Sequence, residues 1–332
     1  MRHILKEFIT KQKLLLHLLS FFGEKFPKVF VYHRFTSKNS PISHRVNAAT
    51  FAWQLDIIKE NFNVFTLGQC VDYFLQHDRW PENSVVLTID DGYQDMYTWA
   101  WPELAKRNLP ATFFVTTGFV DQIIWLWPDR LEYALRHTKC TECEIYTNRN
   151  TVKFIIETDR QRSDVWKIWS DYCVTLPEDQ RKQFISEVEE LLNVQLPLTP
   201  TSDYAAVTWD QLREMQAGGL EIGGHTVTHP ILSKIHPKLL GTEIGLCRRT
   251  LQEKLLSDIN SFCYPNSGPG DINDAVITAV SQAGFLGAVF GTNLAQWTRY
   301  QIPRMAISDD RIDFLWKLFG GEGLMCRIGT GR

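Results

Sequence analysis

Short apolar runs rich in β-branched and aromatic residues alternate with helical patterns along this chain, and that alternation restricts its fold most. The runs are Lys28 to His33, Val85 to Ile89, Leu109 to Thr116, Leu220 to Ile222, Ser261 to Tyr264 and Leu286 to Phe290. Between them, apolar residues recur at helical spacing. These stretches are Phe51 to Asn61 behind a Thr50 cap, Leu67 to Gln76, Met96 to Arg107, Trp209 to Ala217, Pro237 to Leu255 and Asp271 to Ala283. Gly218-Gly219 stops the fourth. Strands that alternate with helices predict a parallel sheet with helices outside it.

The rhythm breaks between about 120 and 203. There, Trp125-Leu126-Trp127-Pro128 opens a helix through Leu135. A hairpin is predicted around Thr147-Asn148-Arg149-Asn150, followed by helices from Ser163 and after Pro177. The last of these carries Phe184, Ile185, Val188, Leu191 and Leu192 on one face. This reads as a mixed α/β insertion within one large domain, and 332 residues are enough for that.

Composition excludes some classes. A net charge of −3 with no long basic run gives no electrostatic case for nucleic acid. Seven scattered cysteines, with no second close pair beside Cys140-x-x-Cys143, predict free thiols rather than a disulfide framework or zinc finger. Met1 to Phe22 has early basic residues and then a leucine-rich run, shorter than the roughly 20 apolar residues of a membrane span. Phe21-Phe22-Gly23-Glu24-Lys25 offers no small-residue cleavage site. The expectation for residues 1–27 is an amphipathic helix, packed on the domain or lying at a membrane surface. The expected location is cytoplasmic, either free or peripheral at the inner membrane face.

Two clusters carry chemistry. The strand Val85 to Ile89 delivers Asp90-Asp91 to a turn at Gly92. Adjacent carboxylates are costly unless a cation or proton lies between them, although a solvated loop pair is the plain alternative. Far along the chain, His225-Thr226-Val227-Thr228-His229 follows another strand. Two imidazoles four apart share one face of a helical turn and can grip one ion. A carboxylate with two histidines leaves open metal positions for water and substrate.

Together these residues resemble the polysaccharide deacetylase family, also called the NodB-homology domain or carbohydrate esterase family 4. Thr88-Ile89-Asp90-Asp91-Gly92 differs from the first family motif only by Ile for Phe, and His225 to His229 satisfies the second. Phe262-Cys263-Tyr264-Pro265-Asn266-Ser267-Gly268 is similar to the third. Ala283-Gly284-Phe285, Ile302-Pro303-Arg304 and Tyr32-His33 look like other family segments. The resemblance spans about 28 to 118 and 204 to 308.

It implies a distorted (β/α) barrel, residues 28–332, interrupted by the insertion, with the site at the C-terminal strand ends. It implies a divalent metal, zinc above all, on Asp91, His225 and His229, with Asp90 as general base. A backbone N–H near Asn266 would stabilise the oxyanion. The implied reaction removes an N-acetyl group from an amino sugar of a polysaccharide or lipid-linked glycan. The alternatives are a deformylase, an O-acetyl esterase, or a glycan-binding protein with an impaired site.

Two departures stand out. The family's third motif often has an Arg that orients the catalytic Asp. Cys263 stands there instead, and Arg304 is the candidate to supply the charge. The family also places an acid His on a late strand, yet no His follows His236, so His33 is the candidate acid. Tyr93, Trp125, Trp127 and Tyr264 are candidates to contact sugar rings.

Overall fold

The computed structural model describes residue 10 and residues 26–37, 45–146, 151–266, 268, 270–291, 297–307 and 309–321. The predicted N-terminal helix, apart from Thr10, and the turn at 147–150 lie outside the described residues. Thirteen strands are described: β1 (Lys28–Tyr32), β2 (Arg34–Thr36), β3 (Arg45–Asn47), β4 (Asn63–Phe65), β5 (Ser84–Ile89), β6 (Thr112–Val115), β7 (Glu142–Tyr146), β8 (Thr151–Ile155), β9 (Glu221–Gly224), β10 (Ser261–Cys263), β11 (Gly287–Phe290), β12 (Ile302–Pro303) and β13 (Met305–Ala306).

The main sheet follows the path β12-β11-β10-β9-β6-β5-β1-β13, with β4 added beside β5. Every pairing in it is parallel. The result is a nearly closed (β/α) barrel. The two ends of the path, β12 and β13, are separated in sequence only by Arg304. Arg304 therefore sits at the barrel's seam.

Burial on both faces explains why β5 could be read from its composition. All six of its residues are buried, as a parallel strand covered by helices requires. At β9 the sheet demands small residues. A Cβ on Gly223 would lie 2.5 Å from the Phe114 ring and 2.8 Å from the Ser261 carbonyl oxygen. Phe30, Leu87, Phe113, Phe262 and Phe285 belong to the main core. Helices begin where capping boxes allow: Thr66 with Gln69, Thr158 with Gln161, and Thr208 with Gln211.

Several predicted boundaries shift. The helix expected behind Thr50 runs from Ala48 to Asn61, and Asn47 caps it through the Ala49 amide. The helix expected from Ser163 starts at Asp159 because Thr158 is the better cap. Leu191, expected on the apolar face of the helix Glu178–Leu191, is 42% exposed. The segment predicted as one helix over Pro237 to Leu255 is a 3-10 turn, a π-helical turn and the α-helix Cys247–Leu255.

The insertion has a hydrophobic cluster of its own. Leu131 and Leu135 on the helix Trp127–His137 pack with Trp169, Phe184, Ile185 and Val188. The hairpin β7–β8 is antiparallel and pairs Glu142 with Ile155 through Tyr146 with Thr151. No helix among the described residues is long and apolar enough to cross a membrane. The described cysteines are unpaired.

Candidate active site

Each candidate side chain follows the C-terminal end of a barrel strand: His33 after β1, Asp90 and Asp91 after β5, His225 after β9 and Arg304 after β12. The ladder bonds carry on into these positions. Asp90 N–H donates to Tyr32 O (3.0 Å), and His225 N–H to Val115 O (3.1 Å). Convergence at that barrel end follows from the parallel arrangement itself.

Asp91 Oδ1 lies 3.3 Å from His225 Nε2 and 3.3 Å from His229 Nε2. All three residues are buried. His225 Nδ1 sits 2.9 Å from the Cys263 carbonyl oxygen, so this nitrogen carries the proton and Nε2 faces the carboxylate. A neutral imidazole would then point a lone pair at an anionic oxygen, which is repulsive unless a second proton or a cation lies between them. Two donors held roughly 2.0–2.1 Å from one tetrahedral zinc are themselves roughly 3.3 Å apart. The residues present therefore fit a divalent ion. A second group, Asp90, His225 and Cys263, is also compact. It fits less well, because Asp90 is engaged by Arg304 and His225 Nδ1 by the backbone.

Asp90 has different neighbours from Asp91. Arg304 donates NH1 to Oδ1 and NH2 to Oδ2, each at 2.7 Å, across a pair that is buried on both sides. Cys263 Sγ lies 3.4 Å from Oδ2, and His33 Nε2 lies 3.7 Å from the same oxygen. Burial pushes both carboxyls up, but other contacts prevail. At Asp90 the Arg304 charge holds the group below the ordinary range, and at Asp91 the His225 and His229 hydrogen bonds hold it well below.

The histidines are not on a helical turn, contrary to the four-residue spacing. Thr226 (φ +68°) and His229 (φ +60°) adopt left-handed backbone, as do Asp91 (φ +81°) and Asn266 (φ +53°). Such conformations cost roughly 1–3 kcal/mol each and persist where the surroundings impose them. In the histidine loop, Glu243 holds the backbone between Thr226 and His229. Its carboxylate accepts the Val227 and Thr228 amides and the Thr228 hydroxyl, while His229 N–H donates to Thr226 Oγ1.

These groups open onto a cleft of about 650 Å³, and all seven catalytic and metal candidates line it. The insertion contributes to its wall, through Trp127, Asp129, Trp166 and Ser170 among others.

A family model described as polysaccharide deacetylase matches residues 77–145 and 182–288, more than half of the chain. The chain belongs to the polysaccharide deacetylase family. Among proteins of curated function, none matches it in sequence. Solved structures share its fold. The deacetylase PplD of Streptococcus pyogenes, solved in complex with acetate, is 19% identical with a TM-score of 0.58, over 90% of this chain and 99% of that one. IcaB from Ammonifex degensii is 17% identical with a TM-score of 0.54, over 89% and 98%. A de-N-acetylase from Aggregatibacter actinomycetemcomitans is 18% identical with a TM-score of 0.51, over 85% and 95%. The family match skips residues 146–181, inside the insertion.

Within this polysaccharide deacetylase site, the aromatic candidates divide. Trp125 is not among the residues that line the cleft. Its indole donates to the Pro197 carbonyl (3.0 Å), and its ring packs on Tyr133 and Tyr204. Tyr93 and Tyr264 border the cleft but are almost wholly buried, and both hydroxyls are used internally. Tyr264 donates to the Tyr300 carbonyl, and Tyr93 to both oxygens of Asp129 (2.8 and 2.9 Å). Trp127 remains at the cleft surface.

Sequence reading missed the group behind Tyr93. Arg34 stacks 3.7 Å over the Tyr93 ring, donates Nε to Asp95 Oδ2 (2.6 Å) and reaches the Asp203 carbonyl. It ties the Asp-pair loop to the end of the insertion. Asp129 is buried beside it, and burial pushes its carboxyl up to about 7 despite Arg34 and the Tyr93 hydroxyl. Between about 4, the unfolded value, and about 7, the folded protein binds the extra proton, so stability falls as pH rises through that window. Asp129→Asn cannot ionise. Thermal melts should show it gaining on wild type from pH 5 to pH 8, on the order of 1–3 kcal/mol. A constant difference across that range contradicts the assignment.

Proposed function

We propose that this chain is a metal-dependent hydrolase that removes an N-acetyl group from an amino sugar of a polysaccharide or lipid-linked glycan. The observation that carries the reading is Asp91 Oδ1, 3.3 Å from the inward nitrogens of both His225 and His229, beside a separately held Asp90. A divalent ion on Asp91, His225 and His229, zinc by the nature of the donors, supplies positive charge that acidifies water and polarises the acyl carbonyl.

The remaining work falls to the chain's own groups. Asp90, ionised and held by Arg304, takes a proton from the attacking water. Arg304 presents the carboxylate in one fixed orientation and keeps it ionised against burial. The Asn266 backbone N–H donates to the oxygen on which negative charge develops, a type of contact worth roughly 3 kcal/mol. His33 is half-exposed at the cleft and near Asp90, and it returns a proton to the departing amine. The insertion contributes the part of the cleft wall formed by Trp127, Trp166 and Asp171.

The test is acetate release from N-acetylglucosamine oligomers by the purified protein, before and after chelation and with zinc restored. The expected result is loss of at least ~100-fold on chelation, with recovery on adding zinc. Activity untouched by chelation, with no divalent ion in the protein, sinks the proposal. Formate release from N-formyl sugars in preference to acetate assigns the same scaffold to deformylation.

A further inference from the structure

The insertion contains a charge with no evident structural benefit. Arg181, on the helix Glu178–Leu191, is 1% exposed, and its only ion-pair partner among the described residues is Glu178, three positions earlier on the chain. NH1 of its guanidinium is buried with no hydrogen-bond partner. Burying a cation with so little compensation is costly, and an apolar side chain of similar volume would commonly be as stable or more so. What the guanidinium does contact is the Trp127 ring, 5.4 Å from its centroid. Arg181 is not part of the cleft wall, whereas Trp127 is. The cation thus lies against the indole from outside the cleft, while the half-buried Trp127 itself contributes surface to the cleft wall.

Around that surface the wall is suited to a sugar. Trp166 lines the cleft from the helix Asp159–Thr175, fixed by its indole donating to the Pro128 carbonyl (3.0 Å). Ser170, one turn further along, borders it as well, its hydroxyl buried without a partner among the described residues. Asp171 follows. A flat apolar ring flanked by polar groups recognises the C–H face and hydroxyls of a pyranose.

We propose that Trp127 is the platform of a sugar subsite beside the metal centre, and that Arg181 is the positioning residue that fixes the plane of its ring. The occupant is the pyranose next to the one losing its acetyl group, so an oligomer binds better than a single N-acetyl sugar. This rests on the deacetylase reading above.

Calorimetric titration with tetra-N-acetyl-glucosamine and with the monosaccharide tests it. All variants are made in the zinc-loaded Asp90→Asn protein, so that no turnover occurs. The parent should bind the tetramer at least tenfold more tightly than the monosaccharide. Trp127→Ala should erase most of that ratio. Arg181→Met should reduce it at least threefold, and Arg181→Lys, which keeps the cation, should restore it to within twofold. A merely structural Arg181 predicts no rescue by Lys and no change in the ratio in any folded variant. If Arg181→Met does not fold, Trp127→Ala and Arg181→Lys decide the matter. An unchanged ratio in Trp127→Ala, a wild-type ratio in folded Arg181→Met, or no tetramer preference in the parent overturns the subsite. Tetramer binding by the parent without acetate release by the wild type overturns the deacetylase reading alone.

Discussion

Asp90→Asn should abolish acetate release while the protein still holds its metal. The substitution keeps the shape of the side chain and removes its capacity to take a proton, so turnover should fall by roughly 10²–10⁴ or more. Asp91, His225 and His229 are untouched, and metal content measured by atomic absorption should match that of wild type. The two neighbouring carboxylates would thus separate by assay, since Asp91→Asn should lose metal and turnover together. An Asp90→Asn enzyme within tenfold of wild type would place the base elsewhere.

The second large effect concerns stability as much as rate. Arg304→Met leaves Asp90 buried with its main counter-charge removed, and breaking such a pair typically costs roughly 3–5 kcal/mol. At roughly 2 °C per kcal/mol for a chain of this size, Tm should fall by roughly 6–10 °C. The pH dependence gives this a sign. Burial raises the Asp90 carboxyl and the Arg304 charge overrides it, holding the folded value below the ordinary one. In wild type, the stability this contributes is present above the unfolded value of about 4 and is lost as pH falls through the folded value. Without Arg304 the carboxyl rises. The variant's melting deficit should then shrink in acid, and the acid limb of its pH–rate profile should move to higher pH. A deficit independent of pH would mean that the guanidinium acts through packing alone.

The barrel was legible in the chain because its signals are local. A run such as Val85 to Ile89 can be stable only when covered on both faces, and the Thr66–Gln69 and Thr208–Gln211 capping boxes mark helix starts within four residues. Local signals also mislead when two residues compete, as Asn47 and Thr50 do for the same cap. The spacing of His225 and His229 suited a helix. The backbone between them is held by Glu243, whose hold on the Val227 and Thr228 amides no local pattern announces. Asp129 is a harder case. A carboxylate in the first turn of a helix reads as a solvated group favoured by the helix dipole, and only the packing of Tyr93 and Arg34 around it makes it a buried acid. Trp125 and Trp127 are indistinguishable in composition, and only the contacts of Trp125 with Pro197, Tyr133 and Tyr204 separate it from Trp127 at the cleft.

The seam of the barrel has a consequence for when this protein becomes competent. Arg304 lies between the two strands at the ends of the sheet path, so the step that closes the barrel also brings the guanidinium to Asp90. Ribosomal synthesis runs from the N-terminus, and residue 304 emerges more than two hundred positions after the carboxylate it serves. Until then Asp90 lacks the charge that keeps it ionised in a buried setting. On the proposed mechanism, a nascent or partly unfolded chain in which Asp91, His225 and His229 have already met would still be a poor hydrolase. Competence in this design is a report that the last turn of the fold has been completed.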